Sequence, residues 1–406
     1  MHPIISALKH HRTAVILMVL EVALAGAIVT NALFVIATHL RAMQVTTGVA
    51  DRELVWLRSS GLRDDLTPAG RASLAAADLA ALRAMPGVKD VSMANSLPLS
   101  GSVWRWAVYG KSGDERSIVD NVSIYVATPG LVRTLGLQLV EGRDFLPQEY
   151  SGGRIFSDDP PPPAVIVTRQ FADKMWPGVD PIGKPIYLGE KGKDVTHVVG
   201  VLAHLLNAGL DKFSDDETNI MLPYTSVQGG LYVIRTSPAM RDVTLREVPK
   251  VLDRVDDQRI ITEVHTLSET IDEHFHDDRA LIWLLLAVIG CLLALTALGV
   301  VGLSSFWVQQ RTRQIGIRRA IGATRRDILV YFQTENLLIV TAGIVLGSFG
   351  AVALNLWLMA HYELPRMSLA VLPIGALVLW LIGQLAALGP ALRASRVPPV
   401  VATRSV

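Results

Sequence analysis

Gln310-Arg311-Thr312-Arg313-Gln314-Ile315-Gly316-Ile317-Arg318-Arg319-Ala320-Ile321-Gly322-Ala323-Thr324-Arg325-Arg326-Asp327-Ile328 stands between two long apolar runs, and its charge decides how the rest of the chain is arranged. From Gln309 to Arg326 there are six arginines, Arg311, Arg313, Arg318, Arg319, Arg325 and Arg326, and no acidic residue. Short loops rich in arginine are retained on the cytoplasmic side of a bilayer. Residues 308–326 therefore read as a cytoplasmic segment joining a span at 280–307 to a span at 327–359. A short loop at 360–368, where Arg366 sits beside Glu363, leads to a further span at 369–389. The tail, 390–406, carries Arg393, Arg396 and Arg404 without an acid and is also placed inside.

The first span lies far away, at 14–38, after a short N-terminus at 1–13 that contains Lys9 and Arg12. Its 25 mostly aliphatic residues, at about 1.5 Å rise each, are long enough to cross a hydrocarbon core about 30 Å thick. Ala23-Leu24-Ala25 has the small-x-small look of a signal-peptide cleavage site. The apolar run continues well beyond it, which favours a retained anchor. Both termini then face the cytoplasm and residues 39–279 lie outside it. The expected fold is four transmembrane α-helices, with a large mixed α/β periplasmic domain inserted between the first and second.

Composition agrees with a chain partly in lipid and partly in water. Of 406 residues, 50% are hydrophobic and 18% charged, and the mean hydropathy is +0.37. A net charge of +1 excludes electrostatic nucleic-acid binding, which needs a basic excess to neutralise phosphates. The single cysteine, Cys291, lies in an apolar run, so one chain builds neither a disulfide framework nor a cysteine-based zinc site.

In the inserted segment, Val103 to Tyr109, Ala164 to Thr168, Thr196 to Leu202 and Tyr232 to Thr236 are strand candidates bounded by Gly, Pro and Asp. Ala72 to Met85 reads as a helix stopped by Pro86-Gly87. Ser151 to Pro163, with four consecutive prolines, is a loop. From Leu267 a polar helix is expected to run without a break into the second span, as a stiff stalk.

Several groups invite a chemical role. Gly178-Val179-Asp180-Pro181-Ile182-Gly183-Lys184 has the G-x-x-x-x-G-K skeleton of a phosphate loop. Pro185 stands where the Mg²⁺-binding hydroxyl should be, Pro181 removes an amide, and the segment lies away from cytoplasmic ATP, so a plain helix-to-strand turn is the better reading. His274, His276, Asp277 and Asp278 offer metal-ligand chemistry, but no further ligand is indicated, so a solvated juxtamembrane stalk is the favoured reading and no metal is expected. Trp104 and Trp106 share a strand face, where core packing or a subunit contact is favoured over the grip of an apolar ligand. Glu21 and Asn31 are polar groups inside the first span, where a carboxylate is costly unless it faces protein or water. They serve helix packing or a proton or substrate path, the former being favoured. Gly343 and Gly347 form a G-x-x-x-G step that admits a close helix neighbour, from this chain or another.

The arginine-rich segment is the most informative. Ile315, Arg318 and Arg319 fall three and four apart, so a short helix would place apolar knobs and guanidinium groups along one side. Such a surface either holds anionic lipid or docks a protein.

This segment resembles the signature of the FtsX-like permeases, the group that includes MacB and the lipoprotein-releasing permeases. Thr128-Pro129-Gly130, Leu135-Gly136, Glu141-Gly142-Arg143-Asp144-Phe145, Trp176-Pro177-Gly178, Gly183-Lys184 and Val198-Val199-Gly200-Val201 resemble the MacB-type periplasmic core domain. Pro390-Ala391, Arg393-Ala394, Pro398-Pro399 and Ala402-Thr403-Arg404 are similar to the family's tail. The resemblance implies a mechanotransmission permease in the bacterial inner membrane: ATP hydrolysis in a cytoplasmic ABC ATPase dimer moves the membrane helices, and these drive the periplasmic domains. It implies that Arg311, Arg313, Ile315, Gly316, Ile317, Arg318, Arg319, Ala320, Gly322 and Ala323 couple to that ATPase, with Ile315 and Ile317 seated in a groove of the partner and Arg318 and Arg319 donating to it. No cofactor is expected in this chain, ATP and Mg²⁺ being bound by a separate ATPase. The expected partners are that ATPase, a second permease copy or a related chain, membrane lipid and, for export, a periplasmic adaptor and outer-membrane channel. Two functions follow: export of an antibiotic, peptide, lipid or lipoprotein, or a signalling permease that regulates a periplasmic cell-wall hydrolase.

Overall fold

The computed structural model describes residues 12–44, 46–61, 67–101, 104–153, 155, 159–209, 217–227, 231–362 and 367–398. Expectations that rest on Lys9, Val103, Glu363, Arg366, Pro399, Ala402, Thr403, Arg404 and part of the proline-rich loop lie outside these residues.

The chain begins with α1 (Arg12–Ala42) and continues through β1 (Leu54–Gly61), α2 (Pro68–Arg83), β2 (Val88–Ala94), β3 (Arg105–Tyr109), β4 (Ile118–Ala127), α3 (Leu131–Leu135) and β5 (Leu139–Gly142). Next come β6 (Ala164–Thr168), α4 (Arg169–Met175), β7 (Pro185–Leu188), β8 (Asp194–Leu202), β9 (Asn219–Pro223), β10 (Leu231–Thr236), α5 (Arg241–Val255), β11 (Arg259–Thr266) and α6 (Leu267–His274). It closes with α7 (His276–Gln310), α8 (Thr312–Ala320), α9 (Arg325–Tyr362) and α10 (Val371–Ser395). Internal contacts divide it into two units, Met1–Arg41 with Asp278–Val406, and Ala42–Asp277.

Among the described residues, four helices are long and apolar enough to cross a membrane: α1, α7 with the residues leading into it, α9 and α10. The second unit is built on one mixed sheet. Strands β11, β1, β10 and β2 pair antiparallel, and β2 hands over to β4 through a single pair, Ala94 with Ala127. Beyond it the order is β4-β3-β7-β8-β6-β9, and β9 returns to pair in parallel with β4, so these strands close on themselves. Closure removes open edges, and its interior is filled by Val108, Val122, Ile124, Val167, Ile186 and Val198.

Strand β1 shows why this half reads as continuous apolar sequence rather than alternation. Leu54 and Trp56 enter one buried cluster with Leu131 and Leu135, while Val55 and Leu57 enter another with Leu82, Val248 and Leu252. A strand buried on both faces has no polar side to display. Helix α2 starts where Thr67 accepts a hydrogen bond from the Gly70 amide at 3.1 Å.

The polar helix leads into the second span as one stretch, Leu267–Gln310, in which Phe275, at φ −91° and ψ 9°, separates α6 from α7. The Phe275 amide still donates to the Ile271 carbonyl at 3.2 Å, keeping its i→i−4 bond, and the ring is buried with Leu99 and Leu206. The glycine skeleton at 178–184 is the connection from α4 to β7, with the Gly183 amide donating to the Val198 carbonyl at 2.7 Å.

Candidate functional site

The arginine-rich segment forms α8, nine residues long. It stops because Gly322 adopts φ +107°, which a residue with a Cβ rarely tolerates. The Gly322 amide then donates to the Arg319 carbonyl at 3.2 Å and the Ala323 amide to the Arg318 carbonyl at 3.0 Å, the two-bond closure that satisfies a helix C-terminus. Two residues on, Thr324 and Asp327 cap α9 reciprocally: the Thr324 amide donates to Asp327 Oδ2 at 2.8 Å, and the Asp327 amide to Thr324 Oγ1 at 3.2 Å.

The two faces of α8 differ in kind. Toward the bundle, Arg311 Nη1 donates to both carboxylate oxygens of Glu335 on α9, each at 2.9 Å, and both side chains are largely buried. Ile315 is buried in a cluster with Val308, Ile328, Phe332, Ala391 and Ala394. Gly316 is buried beside it. Arg319 Nη1 donates to the carbonyls of Val397 at 2.8 Å and Ser395 at 3.3 Å, a cation placed on the C-terminal end of α10. Toward solvent, Arg313, Ile317, Arg318, Ala320, Ile321 and Gly322 are exposed, while Ala323 is half-buried. Ile317 is 43% and Ile321 82% exposed, and at i, i+4 they lie on one face. The Arg318 guanidinium lies 4.7 Å from the centre of the Tyr331 ring, which holds it over α9.

The ten residues expected to meet a partner are thus brought together in one helix and its turn, but they do not share one role. Ile315 was expected as a docking knob and packs inside its own chain. Its place on the free face is taken by Ile321, which the i, i+4 spacing from Ile317 points to and which was not among the expected contacts.

The remaining intramembrane expectations are placed as follows. A Cβ on Gly343 would meet Val22 at 2.7 Å and one on Gly347 the Ala23 carbonyl oxygen at 2.6 Å, so the close neighbour of this stripe is α1 of the same chain. Asn31 Nδ2 donates to Ala27 O at 2.9 Å and across to Ala351 O on α9 at 3.1 Å, a packing role. The Glu21 carboxylate occupies the space beside Gly299 of α7 that any larger residue there would need. Buried polar residues outside those expectations include Glu335, Asn336, Asn355 and His39, whose Nδ1 lies 2.8 Å from an Asp278 carboxylate oxygen. Glu335 and Asn336 sit among Gln333 to Asn336 in an otherwise apolar helix, and that interruption was the available signal.

In the inserted domain, Trp104 and Trp106 are half-buried and pack against the interior of the closed strands, the core alternative. Glu53 accepts from Lys89 Nζ and from Arg235 Nε, each at 2.7 Å, and those two cations hold its carboxyl below the usual range.

Two family models match the chain: a MacB-like periplasmic core domain over residues 15–250 and the C-terminal part of FtsX-like permeases over 286–399. Among curated relatives, the macrolide export ATP-binding/permease protein MacB of Bradyrhizobium diazoefficiens is 32% identical over 54% of this chain and 34% of its own length. That of Hahella chejuensis is 27% identical over 81% of this chain and 48% of its own. The pyoverdine export ATP-binding/permease protein PvdT of Pseudomonas syringae pv. tomato is 29% identical over 56% and 35%. The chain spans less than half the length of these relatives. The crystal structure of the periplasmic region of MacB from Actinobacillus actinomycetemcomitans overlays with a TM-score of 0.35 at 14% identity, covering 58% of this chain and 98% of that one.

Proposed function

The chain belongs to the ABC transporter permeases that join a MacB-like periplasmic core domain to FtsX-like membrane helices, and from that membership we propose that it supplies the permease of an export complex driven by a cytoplasmic ABC ATPase. The observation that supports this reading is the division of α8. One face is fastened into the bundle through Arg311, Ile315 and Arg319, and the other presents Arg313, Ile317 and Ile321 to solvent.

A helix fastened in this way moves with whatever seats on its free face. Displacement passes from α8 to α9 through the Arg311–Glu335 pair, and from α9 to α1 through Gly343, Gly347 and the Asn31–Ala351 hydrogen bond. Helices α1 and α7 continue covalently into the inserted domain, which on this account lies in the periplasm, with both termini in the cytoplasm. The complex contains an ATPase dimer and a second permease copy, each permease contributing one α8. Relatives named for macrolide and pyoverdine export favour export over regulation of a cell-wall hydrolase, with an adaptor and an outer-membrane channel receiving the substrate.

The test is a photo-crosslinker at Ile321 in cells, with mass spectrometry of the adduct. An adduct with an ABC ATPase is the expected result. Adducts with lipid alone would overturn the docking assignment.

A further inference from the structure

Between α7, α9 and α10, at the root of α8, lies a small cavity whose lining includes Ser304, Trp307, Phe332, Glu335, Asn336 and Pro390. It has room for about one water molecule. Two of its lining residues carry a buried polar atom that the protein leaves unpaired: Trp307 Nε1, a donor, and Asn336 Oδ1, an acceptor. Both residues are 4% exposed. The Asn336 amide is not misplaced, because its Nδ2 donates to the Gly383 carbonyl at 3.0 Å.

A third lining residue is Glu335. Both of its oxygens accept from the same nitrogen, Arg311 Nη1, so the carboxylate retains acceptor capacity directed elsewhere. A buried ion pair survives desolvation only when those remaining lone pairs are met. Three residues of one lining therefore have complementary needs: a donor without an acceptor, an acceptor without a donor, and a carboxylate with lone pairs to spare. A buried water typically makes about three hydrogen bonds, to groups that would otherwise go unsatisfied.

We propose that this cavity is a water site, in which one bound water accepts from Trp307 Nε1 and donates to Asn336 Oδ1 and to a Glu335 oxygen. The water completes the solvation of the Arg311–Glu335 pair and so joins α7 to α9 at the point where α8 is rooted. The site is independent of what docks on the exposed face of α8, so its failure would leave the export reading standing and the reverse also holds.

The experiment is a cryo-EM or crystallographic map of the full chain in lipid nanodiscs or a lipidic phase, at a resolution that shows ordered water. Density within about 2.7–3.2 Å of both Trp307 Nε1 and Asn336 Oδ1 is expected. A dry cavity, or direct contact between the two side chains, would overturn the proposal. Thermal unfolding supplies a second readout through Trp307→Phe, Asn336→Leu and the double variant. If both residues hold one water, the double variant loses clearly less than the sum of the single losses. Additive losses would contradict a shared water. Should the double variant fail to fold, the wild-type map alone decides.

Discussion

Arg311 and Glu335, 24 positions apart in sequence, meet as a buried ion pair in which one guanidinium nitrogen serves both carboxylate oxygens at 2.9 Å. Removing one partner strands a charge, whereas removing both does not. Glu335→Ala is therefore expected to destabilise the membrane bundle by about 3–5 kcal/mol, and the double replacement Arg311→Met, Glu335→Leu by far less. Thermal unfolding of the purified chain in detergent distinguishes the two. Equal losses in the single and double variants would mean that the pair contributes no more than side-chain packing.

Helix α9 lies so close to α1 that the Gly347 backbone abuts Ala23. Gly347→Val forces these helices apart, at a cost of about 1–3 kcal/mol or more for overpacking. Gly290→Ala on α7 meets nothing within 4 Å and serves as the control, with little change in the unfolding midpoint. If both variants unfold alike, the close approach of α1 and α9 is wrong.

The Glu53 carboxyl is held below its ordinary value of 4.5 chiefly by the hydrogen bonds from Lys89 and Arg235. A carboxyl with a lowered folded pKa adds stability above its unfolded value, and that contribution is lost as pH falls through the folded one. Glu53→Gln should cost about 1 kcal/mol near neutral pH, since the group is only partly buried. The gap between wild type and variant should close in acid. Asp51 and Asp144, raised by burial, act in the opposite sense, gaining stability on acidification. They are common to both proteins and cancel in the comparison. A gap that is constant with pH would show that the charge at Glu53 plays no part.

The membrane helices and the strands Ala164–Thr168 and Leu231–Thr236 were legible because each depends on a local pattern: a long apolar run, or a short β-branched one between turn residues. What stayed hidden depends on residues far apart in sequence. Asp78 is held by both Nη atoms of Arg259, 181 positions away, and also accepts from the Tyr232 hydroxyl, and no spacing rule points to that pairing. The same holds for α8. Its sequence announces a helix with apolar and basic residues, but which face is inward is set by Glu335 and the end of α10. That is why Ile315 and Ile317, two residues apart and chemically alike, have opposite fates.

The central claim is that the exposed face of α8 transmits ATPase motion, and the most direct measurement is ATPase turnover with and without the permease. Ile317→Asp with Ile321→Asp alters only exposed positions, so the chain's own unfolding midpoint should hold. Ile315→Ala, by contrast, should cost about 2–5 kcal/mol of bundle stability. Loss of two apolar anchors at an interface is worth about 2 kcal/mol or more, so permease-dependent stimulation should fall at least tenfold in the double aspartate variant. Wild-type copurification and stimulation in that variant would contradict the account.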